Sequence, residues 1–210
     1  MGWTTEASDT PTTRDSIGAA YDSSANLTYA IDGETSSPKS VVTAYSHGSN
    51  AWTTETADTA RYGIGAAYDS SANLTYAIDG TGASDVATVT AYSHGSNAWT
   101  TEATDTARHD HAAAYDSNAN LTYAIDGYHA GALSTVTAYS HGSNAWTAEA
   151  ADTARYAIGA AYDSTAQLTY AIDGYNGGEL GTVTAFSPPP AFAPLLTRRS
   201  LAAVFRAANW

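Results

Sequence analysis

Leu27-Thr28-Tyr29-Ala30-Ile31-Asp32-Gly33 is written four times into this chain. The same seven residues return at Leu74–Gly80, Leu121–Gly127 and Leu168–Gly174, always 47 residues on. Arg14, Arg61, Arg108 and Arg155 keep that interval, as do Trp52, Trp99 and Trp146. Within the seven, Leu, Tyr and Ile alternate with Thr and Ala, so three large apolar side chains share one face of an extended segment. Asp-Gly then ends the segment with turn chemistry. A unit this short cannot bury its apolar face alone and needs stacked neighbours.

Working outward from Leu74–Gly80, the second unit reads as four strands. Gly65-Ala66-Ala67-Tyr68 precedes a turn at Asp69-Ser70-Ser71-Ala72-Asn73. Thr88-Val89-Thr90-Ala91-Tyr92 alternates again, Ser93-His94-Gly95-Ser96-Asn97 is a second turn, and Trp99-Thr100-Thr101-Glu102 begins the fourth strand. Thr, Val, Tyr, Ile and Trp favour pleated structure, and nothing in the unit has a helical period. Four short strands at this interval predict an all-β propeller with four four-stranded blades. The repeat units run 14–60, 61–107, 108–154 and 155–187. Residues 188–210 form a Pro-rich linker and basic tail with an expected short helix from Leu195 to Trp210. Trp52, Trp99 and Trp146 are expected to be buried between blades.

The fourth unit departs into Pro188-Pro189-Pro190 before reaching a Trp strand, whereas Trp3-Thr4-Thr5-Glu6-Ala7 copies that strand ahead of Arg14. The N-terminal strand 3–7 is therefore expected to close the last blade of a 1–187 propeller and hide its edges. A homodimer sharing one eight-bladed ring, and a fragment or recent repeat expansion without a selected function, are the alternatives.

Arg61, Gly63, Gly65, Tyr76-Ala77-Ile78-Asp79-Gly80, Tyr92 and Trp99 resemble, in order and spacing, the kelch repeat. The resemblance covers residues 3 to about 187 and implies a propeller that binds protein partners. The departure is Asp in place of the first Gly of the family's Gly-Gly pair, in all four copies, which leaves the geometry of that turn open. A Ser-to-Trp turn, Ser93 to Trp99, is shared with Asp-box repeats of the sialidase type, but the Asp that defines that motif is absent.

The chain carries 21 acidic and 8 basic side chains in 210 residues, a net charge of −13. That field repels nucleic acid and anionic membrane, so neither is an expected partner. There is no Cys, which removes disulfides, thiolate metal sites and a Cys nucleophile. No signal-peptide pattern opens the sequence and no apolar stretch has the length of a membrane-spanning helix.

Units two and three differ at 13 of 47 positions, and ten of these fall in two windows: 62–65 against 109–112, and 81–87 against 128–134. Adjacent antiparallel strands bring the two windows to one rim, which is how a binding face on a constant scaffold looks. The repeated arginines start the innermost strands on that rim. Arg14, Arg61, Arg108 and Arg155 are therefore candidate ligand-binding residues, since guanidinium suits carboxylate recognition. The kelch resemblance implies the same, because Arg residues on this rim contact acidic peptides in some members. The competing reading is an ion pair within the blade, because Asp58, Asp105 and Asp152 each lie three residues before a repeated Arg; Pro11 holds the matching position before Arg14.

His109 and His111 replace Tyr62 and Ile64 of the preceding unit. Alternate strand residues share a face, so the two imidazoles are a metal candidate with His129 or a nearby acid. Two ligands without a third at fixed spacing do not define a site, and no metal or cofactor is assigned. No catalytic constellation stands out. Asp69, Asp79 and Glu102 are carboxylates of the kind glycosidases pair, but they repeat with the unit, whereas an active site is asymmetric. The expected function is a non-enzymatic scaffold for a protein or acidic peptide, with a carbohydrate-active or sugar-binding propeller as the rival class.

Overall fold

The computed structural model describes residue 2, residues 4–9 and residues 13–188. It is a β-propeller of four antiparallel sheets. The first blade holds β1 (Gly18–Asp22), β2 (Leu27–Ile31), β3 (Val42–Ser46) and β4 (Ala51–Thr54) in sequential order. The second holds β5 (Gly65–Asp69), β6 (Leu74–Ile78), β7 (Val89–Ser93) and β8 (Ala98–Thr101). The third holds β9 (Ala112–Asp116), β10 (Leu121–Ile125), β11 (Val136–Ser140) and β12 (Ala145–Ala148). The fourth has three strands among the described residues: β13 (Gly159–Asp163), β14 (Leu168–Ile172) and β15 (Val183–Phe186).

Local chemistry sets each turn. Asp22 Oδ1 accepts the backbone N–H of Ser24 at 2.8 Å and of Ala25 at 3.0 Å, and Asp69, Asp116 and Asp163 cap their hairpins in the same way. The Asp that stands before the repeated glycine of each unit is explained by the next turn. Asp32, Asp79, Asp126 and Asp173 adopt φ of 52–57°, the left-handed region that Asp tolerates among non-glycine residues. The following Gly33, Gly80, Gly127 and Gly174 take φ of 103–122°, where only Gly is unstrained. Asp thus serves as the first member of the pair, and its carboxylate is then free for a second task.

The apolar face of one blade packs on the opposite face of the next. Tyr29, Ile31, Val42 and Ala44 of the first blade meet Ile64, Ala77 and Tyr92 of the second. Tyr76, Ile78, Val89 and Ala91 meet Ala124 and Tyr139 of the third. Tyr123, Ile125, Val136 and Ala138 meet Ala171 of the fourth. Edge-on aromatic pairs bridge these interfaces, Tyr29 with Tyr92 at 5.4 Å and Tyr76 with Tyr139 at 5.2 Å. The innermost strands β1, β5, β9 and β13 line a central opening of about 430 Å3.

Two expectations are corrected. Trp52, Trp99 and Trp146 are half-buried, because the outermost strand meets solvent on its outer side. Each packs on a strand neighbour, as Trp99 does on Tyr92 at 5.1 Å, and donates its indole N–H to the segment running over the blade. Among the described residues, the N-terminal segment does not pair with β15. Ala7 donates its N–H to Asn50 and accepts from Trp52, while Glu6 accepts from Tyr45, all in the first blade. Residues 55–56 cover the second blade through Asn97, Trp99 and Tyr92 in the same way. The copied sequence is therefore also the connector that lies over the blade after it. Trp3 and the expected tail helix lie outside the described residues.

In the fourth blade, no described strand stands where the other blades carry Trp. A cavity of about 190 Å3 lies between the third and fourth blades, lined in part by Tyr123, Val136, Ala171 and Phe186.

Candidate functional site

The arginines begin each innermost strand, but their side chains run inward. Arg61, Arg108 and Arg155 are at most 1% exposed. Arg108 shows the pattern. Its Nε donates to Asp79 Oδ2 at 3.2 Å, its Nη1 to the carbonyls of Asp126 at 3.2 Å and Thr135 at 2.8 Å, and its Nη2 to Asp105 and the Thr137 hydroxyl. Arg61 repeats this with Asp32, Asp58, Thr88 and Thr90, and Arg155 with Asp126, Asp152, Thr182 and Thr184. Arg14 uses Asp9, five residues before it, in place of the acid that Pro11 displaces. With every guanidinium nitrogen engaged, Arg61, Arg108 and Arg155 have no donor for a ligand, and Arg14 has both Nη groups bonded within the first blade, so these arginines hold the blades and do not form the expected binding ring.

Each of Arg61, Arg108 and Arg155 has two acid partners at different sequence spacings. Asp58, Asp105 and Asp152 at three residues were visible partners. Asp32, Asp79 and Asp126 lie 29 residues before their arginines, on the preceding blade, and were overlooked. That interval is as constant as the repeat itself and was the available signal. These carboxylates are what join one blade to the next.

Each arginine between two acids leaves one negative charge in excess. Burial, aided by Asp58, holds the Asp32 carboxyl up to about 8. Burial and Asp105 hold Asp79 up to about 8, and burial with Asp152 holds Asp126 up to about 7. Beside Arg155 the outer acid carries the counter-charge instead: Asp152, in spite of partial burial, is held below the usual carboxylate range by its bonds from Thr184 and Arg155.

The native state therefore binds more protons than the unfolded chain at neutral pH, and stability falls as pH rises through the folded values. Urea midpoints should drop from pH 7 to pH 9, and Asp79→Asn should flatten the drop. A midpoint constant or rising across that window contradicts the assignment. Below pH 6.5 buried His111, held well below its ordinary value by burial and Arg108, works in the opposite direction.

The histidines separate. Asp110 takes φ of 51°, which breaks strand alternation between His109 and His111. His109 Nδ1 lies 2.7 Å from Asp85 Oδ1, and His129 Nδ1 lies 2.8 Å from Asp85 Oδ2. His111 instead fills the interblade position of Ile64 in the preceding unit, with neither ring nitrogen bonded. No metal-holding cluster of three His, Cys, Asp or Glu exists among the described residues. The remaining repeated acids are occupied as well: Asp69 caps its hairpin, and Glu102 accepts from the Tyr139 hydroxyl at 3.0 Å.

The two variable windows do meet on one rim. Tyr62 and Thr81 exchange backbone hydrogen bonds at 3.0 and 2.9 Å, as do His109 with Tyr128 and Tyr156 with Tyr175. Aromatic rings run along this rim: His109 to Tyr128 at 5.3 Å, Tyr128 to Tyr156 at 5.1 Å and Tyr156 to Tyr175 at 5.4 Å. This row was missed because its members come from only two units, at two repeat positions that hold Tyr62 and Thr81 in the second unit. Asp15, Glu34, Asp85, Asp110 and Glu179 lie on the same rim of their own blades, with Lys39 as the one lysine. The symmetric set at the channel is Tyr21, Tyr68, Tyr115 and Tyr162, toward the opposite rim.

The fold and this rim define a four-bladed β-propeller with one variable face. The chain matches no protein-family model, and no curated protein matches it.

Proposed function

We propose that this propeller is a kelch-like binding scaffold that takes a protein or peptide partner on the rim bearing Tyr128, Tyr156 and Tyr175. The observation that carries this reading is the concentration of internal variation on that rim, ten of the 13 differences between units two and three, over a largely constant blade framework. Rigid strands position short loops there, and partly exposed tyrosines are the side chains that most often dominate recognition surfaces. The acidic-peptide form of the expectation rested on free arginines. With those engaged, the rim offers aromatic rings among carboxylates, which suits a partner with basic residues.

A peptide array probed with the intact chain tests this. Binders should be enriched in Lys and Arg, and Tyr175→Ala or Tyr128→Ala should weaken binding by tenfold or more, as truncation of an aromatic anchor costs roughly 2 kcal/mol. His47→Ala, on the opposite rim, should leave binding unchanged. Equal losses from both rims, or capture of glycans with no peptide, would remove the proposal.

A further inference from the structure

The three interblade contacts share one pattern, and the outer faces of the first and fourth blades are its two unused halves. In each contact an Arg Nε of one blade reaches the Asp of the preceding blade: Arg61 to Asp32, Arg108 to Asp79 and Arg155 to Asp126, at 3.1–3.3 Å. Beside it the Gly after that Asp donates its N–H to the arginine carbonyl: Gly33 to Arg61, Gly80 to Arg108 and Gly127 to Arg155, at 2.8–2.9 Å. Among the described residues, Arg14 Nε is buried without an acceptor, and the Asp173 side chain and Gly174 N–H make no bond.

The apolar fit repeats the pattern. Ile64 presses on the backbone of Gly18, so closely that a Cβ there would lie 2.7 Å from Ile64 Cγ1. His111 presses on Gly65 in the same way. The next projection in register is Ile17, which is 40% exposed, and the next slot is Gly159, which has nothing within 4 Å. Val183 is 60% exposed, whereas its counterparts Val42, Val89 and Val136 are at most 5% exposed. Among the described residues, β15 has no partner on its outer edge, and Thr4-Thr5-Glu6, which copies the end of β4, pairs with no strand.

Among the described residues these faces do not cover one another, since Ile17, Ile172 and Val183 all stay exposed. We infer that a second copy of this chain covers them, with Arg14 and Ile17 of each copy docking on Asp173 and Gly159 of the other. The contact is head-to-tail, and a pair satisfies both ends of both chains. Four blades from each copy give eight, within the range known for propellers.

Sedimentation of the full chain tests this. The expected mass is twice the 21.7 kDa of one chain. Ile17→Asp blocks one face and Gly159→Leu the other; both sites are open to solvent, so the blade interiors stay intact. Each variant alone should sediment as a single chain. Mixed in equal amounts they should pair again, because one supplies an intact Arg14 face and the other an intact Asp173 face. A wild-type mass of one chain, a continuing series of masses, or variants that fail to re-pair overturns the proposal.

Discussion

Arg108→Met should remove most of the protein's stability. The substitution keeps an apolar stem and deletes the group on which Asp79, Asp105, Thr137 and two backbone carbonyls converge. Breaking a buried pair on one side costs roughly 3–5 kcal/mol, because the surviving charge has no compensation. A domain of this kind is stable by about 5–15 kcal/mol in total. Urea denaturation should show a large fall in midpoint, or loss of the cooperative transition. Adding Asp79→Asn and Asp105→Asn should recover part of the loss, since the stranded charges go with the cation. A single variant as stable as the parent would show that the ladder of arginines does not hold the blades.

Gly80→Ala is the second severe change. Gly80 has φ of 109°, and an added Cβ would lie 2.6 Å from Ile64 Cγ2 and 2.9 Å from the Tyr62 carbonyl oxygen. Backbone strain of this kind costs of order 1–3 kcal/mol, and overpacking typically adds another 1–3. Gly95→Ala is the control, because its Cβ would meet nothing within 4 Å and its turn is exposed. It should stay within about 0.5 kcal/mol of the parent. Calorimetric melting of the two variants side by side reads the difference, and a small loss at Gly80 would contradict the turn geometry.

The strands were legible because each blade is half apolar and strictly alternating. Leu74, Tyr76 and Ile78 announce a period of two, and Asp-Gly announces its end. Asp58 was legible as a partner of Arg61 because the two are three residues apart. Asp32 was not, because a contact between blades carries no local signature. The same limit misplaced Thr4–Ala7, because the sequence they copy, Thr53–Glu55, serves both as the end of an outer strand and as the start of the connector over the following blade. The tyrosine row escaped for a further reason. Thr81, Tyr128 and Tyr175 are equivalent positions, and only their differences make a surface, so a repeat read for its constant residues overlooks them. The arginines led the other way, since strict repetition marked the structural residues and variation marked the rim.

The account turns on what the repeated arginines do, and exchange of their Nε–H protons with water, followed by 15N-edited NMR at neutral pH, measures that directly. Guanidinium groups bolted between two Asp side chains and buried to 1% exposure or less should hold those protons far longer than a free arginine side chain. Slow, individually resolved Nε–H signals for Arg61, Arg108 and Arg155 are the predicted result. Exchange at the rate of free arginine for all three would place them in solvent at the rim and contradict the structural role assigned to them.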